Sequence, residues 1–194
     1  MFRSLHMKLT LILLLLITSL MAVVGAFLTV SVSSFFINSF YQQMSNVFGG
    51  ENNSFVFDLR GAAADPEDPA GRVAEILEAR AGSLGVDYRT RNYFVLDGET
   101  GAYISSSANE SALPREQSAN LLAARNAVIR GDETAVGDES DITADFMDVA
   151  VPVMGGGNAF IVYILDSKDT VSGLNSQLFV IIMQALVIGL LISV

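Results

Sequence analysis

Two long stretches of this sequence carry no charge, and they bound what the rest can fold into. No Asp, Glu, Lys or Arg occurs from Leu9 to Gly50, and none from Thr170 to Val194. All 21 acids and nine of the 11 bases lie between them, so the middle of the chain carries a formal charge of 9 - 21 = -12, against -10 for the whole chain. A chain of 194 residues divided in this way is neither a simple soluble globule nor a transporter with many spans. What fits is an acidic domain between two apolar ends.

The run from Leu9 to Val30 is 22 residues long. As a helix it would extend about 33 Å, against roughly 30 Å for a hydrocarbon core. A helix satisfies its own backbone hydrogen bonds in lipid. The rival is a cleaved signal peptide, with Val24-Gly25-Ala26 as a weak cleavage site. The run exceeds the usual apolar region of roughly 7–15 residues, so an uncleaved anchor is expected. The second run, Leu178 to Val194, is 17 residues, at the lower limit for a span. The sequence stops inside it, so the chain is read as truncated, with a cytoplasmic part absent. The alternatives are a tail anchor or a buried core helix. Gln184 should face another helix rather than lipid. Arg3 and Lys8 flank the first run, and no base follows until Arg60. The positive-inside rule then predicts a multi-pass plasma-membrane protein, with its N-terminus cytoplasmic and its central domain extracytoplasmic. The expected layout is a cytoplasmic tail 1–8, a transmembrane helix 9–32, a sensor domain 33–177 and a second transmembrane helix 178–194.

Composition excludes several chemistries. The absence of cysteine removes disulfides, thiolate zinc sites, cysteine nucleophiles and a lipoprotein anchor. The acidic balance argues against nucleic acid as a partner. The single histidine, His6, lies in the N-terminal tail, so no mechanism in the centre can use one.

Along the chain, Phe35, Phe36, Phe40, Tyr41, Met44, Val47 and Phe48 recur near the helical period, and nothing breaks the run before Gly49-Gly50. The first helix should therefore continue as a rod to that point. Pro69 predicts a helix from Ala70 to about Ala81, with Val73, Ile76 and Leu77 inward and Gly82 and Gly85 ending it. Asn92 to Leu96 and Ala102 to Ser105 read as a hairpin across Asp97–Gly101. A helix should follow Pro114 and stop at Gly131. Phe146 to Val153 and Ala159 to Leu165 read as two more strands across a glycine turn. Asp166 to Asp169 should then cap a helix running into the second apolar end. The fold class implied is α+β, an antiparallel sheet with flanking helices.

Tyr93-Phe94-Val95-Leu96-Asp97 followed by Gly101 resembles the central hairpin of PAS-like (Cache) sensor domains. Asp148 to Val153, a glycine turn and Ile161 to Ser167 are similar to the last hairpin of such domains in bacterial sensor histidine kinases. Gln184 to Val194 resembles the second membrane helix of those receptors. The resemblance implies a PAS-like sheet between two transmembrane helices in the sensing part of a two-component receptor. It implies a homodimer in the lipid bilayer, an unknown external ligand or protein, and a cytoplasmic response regulator as partner. The kinase domain, with ATP and Mg, would lie beyond Val194, and no cofactor is expected in this segment. His6 does not match the phospho-acceptor motif. The same sensor could serve a chemoreceptor or a cyclic-dinucleotide synthase, and a surface binding protein without signalling output is the reading from a different class.

No catalytic site is visible: there is no phosphate loop, no H-E-x-x-H, and no histidine to serve Ser105-Ser106-Ser107 as base. Gly155-Gly156-Gly157 lies between strands and reads as a hairpin turn. Arg89, Arg91 and Tyr93 lead into the first strand, and arginine suits bidentate capture of a carboxylate or phosphate. A solvated edge pairing with Asp87 or Glu99 is the plainer expectation. Asp132, Glu133, Asp138, Glu139, Asp141 and Asp145 could bind a hard cation, but they lack EF-hand spacing and read as a solvated loop, so no metal site is assigned. Asp148 interrupts an apolar strand. If buried it requires a partner, and an arginine is the expected one. The candidate ligand-binding residues are therefore Arg89, Arg91, Tyr93 and Asp148.

Overall fold

The computed structural model describes residues 5–49, 53–108, 113, 118–132 and 145–193. The elements are α1 (Leu5–Phe48), α2 (Ser54–Ala63), α3 (Pro69–Ala79), α4 (Ala81–Leu84), β1 (Arg91–Asp97), β2 (Tyr103–Ser106), α5 (Ala119–Arg130), β3 (Phe146–Gly155), β4 (Asn158–Ser167) and α6 (Asp169–Ser193). They fall into two compact units, one made of Met1–Ile37 with Asp169–Val194, the other of Asn38–Lys168.

In the first unit, Gly25 is buried and Leu14, Thr18, Met21 and Thr29 are half-buried, a stripe at helical spacing. A Cβ on Gly25 would meet Ile182 Cδ1 of α6 at 3.0 Å, so glycine permits the close approach there. Thr18 and Thr29 donate their hydroxyls to the carbonyls of Leu14 and Gly25, at 2.8 and 3.0 Å. This removes two polar groups from an otherwise apolar surface. Leu13, Leu16, Leu20 and Phe27 are exposed, which suits a helix solvated by lipid.

Among the described residues one helix is long and apolar enough to cross a membrane, the Lys8–Phe48 part of α1. The apolar stretch of α6 is Ser176–Gly189. Those 14 residues reach about 21 Å, short of the roughly 30 Å core. The expected second span at 178–194 is thus corrected, and with it the multi-pass location and the placement of the centre between two spans. The absence of charge showed that the C-terminal run was apolar, not that its apolar helix was long enough.

The second unit is α+β. Its four strands form one antiparallel sheet in the order β2-β1-β4-β3, flanked by helices. β4 is central, pairing with β1 from Arg91↔Asp166 to Asp97↔Phe160 and with β3 from Phe146↔Ser167 to Gly155↔Asn158. Phe94, Leu96, Ala150, Ile161 and Tyr163 occupy one face and pack against Leu121, Ala124 and Val128 of α5. The opposite face carries Val95, Val149, Val151, Val162 and Ile164, and α2 and α3 bury Leu59, Val73 and Leu77 toward it. The third and fourth strands turn through Gly156-Gly157, with φ of 61° and 89°, as a two-residue hairpin loop requires. A Cβ on Gly156 would lie 2.7 Å from Ala64 Cα, so glycine is needed for space as well.

The caps set the helix limits. Asp68 Oδ1 accepts from the Gly71 amide at 2.9 Å and Pro69 opens α3, which ends two residues earlier than the expected Ala81 because α4 begins a separate turn there. Ser118 Oγ accepts from the Leu121 amide at 3.1 Å and starts α5; residues 114–117, where that helix was expected to begin, lie outside the described residues. Sequence reading missed α2. Asn53 starts it by accepting from the amides of Phe55 and Val56, and its Nδ2 donates back to the carbonyls of Val47 and Gly49 at the end of α1. One side chain therefore serves both helix ends.

Ile161 is fully buried at the centre of the sheet. Ile161→Ala should lower unfolding stability by about 2–5 kcal/mol, measured by denaturant titration, whereas a change within ~0.5 kcal/mol would contradict this packing.

Candidate functional site

The two residues before β1 and the first residue of that strand are organised by a single carboxylate. Asp87 Oδ1 accepts from the amides of Arg89, Thr90 and Arg91 at 3.0, 2.8 and 2.8 Å. Its Oδ2 accepts from Thr90 Oγ1 at 2.8 Å. Burial acts to raise the Asp87 pKa, but these hydrogen bonds to the ionised form outweigh it and hold the group down at about 2. The loop thus aims the chain into the sheet and fixes where Arg91 begins.

Arg91 is largely buried. Its Nε donates to Asp166 Oδ2 at 2.7 Å, and the two side chains are 15% and 11% exposed. Its Nη1 donates to Gln43 Oε1 at 2.6 Å and to the Leu84 carbonyl at 3.1 Å. The guanidinium also lies 4.9 Å from the Phe40 ring centroid, in cation–π contact. Gln43 Nε2 donates in turn to the Ser83 carbonyl at 2.9 Å. Gly85 completes the seat: its φ is 68°, and a Cβ there would collide with Arg91 Nη1. The expected solvated edge with Asp87 or Glu99 as partner is therefore corrected for Arg91. Its partner is Asp166, directly across the strand pair.

Tyr93 shares the sheet face of Arg91 and is buried, its amide bonded to Ser107 Oγ at 2.9 Å. Burial raises its phenol pKa, with smaller contributions from Glu78 and Tyr88. Arg89 is exposed in the bend before β1.

Asp148 lies on the other face, toward α5, since it pairs with Leu165 and neighbours Ala150↔Tyr163. It is 3% exposed. Asn120 Nδ2 donates to its Oδ1 at 3.0 Å and to its backbone carbonyl at 3.1 Å. The expected arginine partner is thus replaced by a neutral amide from α5. Oδ2 receives no hydrogen bond among the described residues. Burial first, and the Asp148 charge second, push the Tyr163 phenol far above its ordinary range.

The four residues singled out in the sequence therefore do not converge. Arg91 and Tyr93 belong to one face, Asp148 to the other, and Arg89 to the surface. Asp166 carried a usable signal, an acid ending the apolar run Ala159–Leu165. Gln43, Asn120 and Tyr163 carried none, because their roles depend on pairings far apart in the chain. Of the acidic run, Glu133, Asp138, Glu139 and Asp141 lie outside the described residues.

No family model, no curated protein and no solved structure matches this chain. A small α+β domain with, among the described residues, one helix long and apolar enough to cross a membrane is consistent with a membrane-associated sensory or receptor module in general.

The carboxylates of Asp148, which is buried, and Asp87, which is exposed, can each be tested. Asn120→Leu leaves Asp148 without its donor and should cost about 1–3 kcal/mol in denaturant titration; no loss would contradict the pairing. Asp87, with its lowered pKa, contributes stability that is present above its ordinary value of 3.8 and lost as pH falls through about 2. The acid-side fall in melting temperature should therefore be shallower in Asp87→Asn than in the parent, and an unchanged slope would count against this role.

Proposed function

We propose that the chain is the input module of a membrane-anchored receptor, and that the receptor is a sensor histidine kinase with a PAS-like (Cache) sensor. The observation that carries this reading is α1. It runs without a break from an apolar, membrane-length stretch into side chains that the sheet domain buries, with Phe40, Met44 and Phe48 between 1% and 6% exposed. Phe48 sits 5.5 Å from Phe55 of α2, ring to ring. A helix embedded at one end in a folded domain moves with that domain, whereas a flexible tether would dissipate a displacement. A binding event that favours one of two arrangements of the domain then biases α1, provided its affinity for the two differs.

Supporting this reading are the α+β layout, the two hairpins with their glycine turns, and the absence of any catalytic constellation in the sequence. On this reading ATP, Mg, the acceptor histidine and the response regulator belong to an output region rather than to these residues. The receptor would act as a homodimer in the bilayer.

The test uses the full-length product of the gene that encodes this chain, in isolated membranes. It should incorporate phosphate from ATP as an acid-labile phosphohistidine. Replacing Ser45-Asn46 with Gly-Pro, which breaks the helix, should change that rate several-fold and abolish its dependence on the domain. A protein that is never phosphorylated on histidine would reject the kinase reading, and a phosphorylated one indifferent to the break would reject α1 as the transmitting element.

A further inference from the structure

α6 has two unlike sides. Leu174, Leu178 and Ile182 are half-buried and recur at every fourth residue, which marks the row turned toward α1. Ile182 is the side chain that a Cβ on Gly25 would meet, at 3.0 Å. Gln184 stands about 200° farther round the helix, so it points away from α1. It is exposed. The helix expected to face Gln184 is therefore not α1.

The outer side of α6 is a groove between two rows, Phe179-Met183-Val187 and Val180-Gln184-Ile188. Five of these side chains are apolar and exposed, and Gln184 is the exception. Gly25 lies within the uncharged run Leu9–Val30, and α6 carries no charge after Asp169. Packed on that run, α6 shares its nonpolar surroundings, although its apolar stretch is too short to cross a membrane. Acyl chains can cover the five apolar side chains. They offer nothing to the amide, which has two donors and an acceptor and finds no partner in hydrocarbon.

We propose that this groove is the contact with a second copy of the chain, and that the two Gln184 amides bond to each other at its centre. Three observations select that occupant. A glutamine amide both donates and accepts, so the identical residue satisfies it across a two-fold axis. Copies anchored by α1 enter the membrane in the same direction, which brings both Gln184 side chains to the same depth. Val180 and Val187 flank Gln184 at spacings of four and three residues, so the same face supplies an apolar contact on either side of the amide pair. A single polar pair in an apolar contact also fixes its register, because any slip leaves both amides without a partner. The proposal deepens the receptor reading by naming the surface through which its homodimer forms. Its test reads association rather than phosphorylation, so either can fail without the other.

The test uses the full chain in lipid vesicles. The chain has no cysteine, so single cysteines report without background. Under mild oxidation Val180→Cys and Val187→Cys should form disulfide-linked dimers, while Ala185→Cys, exposed on another side of α6, should not. Energy transfer between copies labelled at their N-termini should fall as lipid is added at fixed protein. Gln184→Leu should need about tenfold less lipid for the same fall, and Gln184→Asn, which keeps an amide, should retain most of the association. The melting temperature of the domain checks that Gln184→Leu remains folded. If it does not, the cysteine pattern in the otherwise unchanged chain decides. A wild-type chain that stays monomeric, with lipid alone over the groove, overturns the proposal. So does association that a folded Gln184→Leu leaves unchanged, or cross-linking as strong at Ala185→Cys as at Val187→Cys.

Discussion

The domain hangs from β4. That strand is paired along most of its length on both edges, with β1 on one side and β3 on the other, and residues Phe160 to Ile164 are buried without interruption. A strand in this position has no free edge and no solvent face, so its sequence must be apolar at consecutive positions rather than at alternate ones. Ala159 to Leu165 meets that demand with seven apolar residues in a row. Each residue of β4 then decides which helix layer its neighbours meet. Ile161 and Tyr163 point to α5, while Val162 and Ile164 point to the layer of α2 and α3.

Polar groups that follow such a strand into the interior need partners, and the two faces solve the problem differently. On the α5 face, Asp148 is met by the neutral side chain of Asn120, which ties α5 to the edge strand β3 by two hydrogen bonds. On the other face, Asp166 is met by a cation with three further contacts of its own. The first arrangement fixes a helix on the sheet and leaves one carboxylate oxygen without a donor among the described residues. The second depends on the charge of Asp166. A neutral partner is indifferent to a cation's position; a charged one determines it.

These differences explain what the sequence could and could not show. The four strands and their turns were legible because β-branched and aromatic runs bounded by glycine have few other uses, and Gly101, Gly131 and Gly156 all take positive φ where a turn or stop was expected. The end of α1 was legible for the same reason. α2 was not: Asp58, Arg60 and Gly61 interrupt its apolar spacing, and its start depends on Asn53 reaching back to α1. The C-terminal run was expected to span because it carries no charge, whereas among the described residues the apolar stretch of α6 is Ser176–Gly189, too short to cross. The candidate residues are scattered in space. A one-residue step along a strand changes the face, so Asp148 and Asp166 end on opposite sides although each punctuates an apolar run.

Arg91 shows why local spacing could not identify its role. Its neighbours in sequence, Arg89 and Tyr93, share neither its partners nor its exposure. What places it is Asp87, which takes three consecutive backbone amides and so fixes the residue at which β1 begins. Shifting that start by one residue would turn Arg91 to the α5 face, and Asp166 would keep its burial and lose its cation. The loop carboxylate therefore sets the register, the register sets the ion pair, and the ion pair joins α1 to the end of β4. A buried charge is costly wherever it stands, and the fold tolerates this one because four separate elements meet on the same guanidinium.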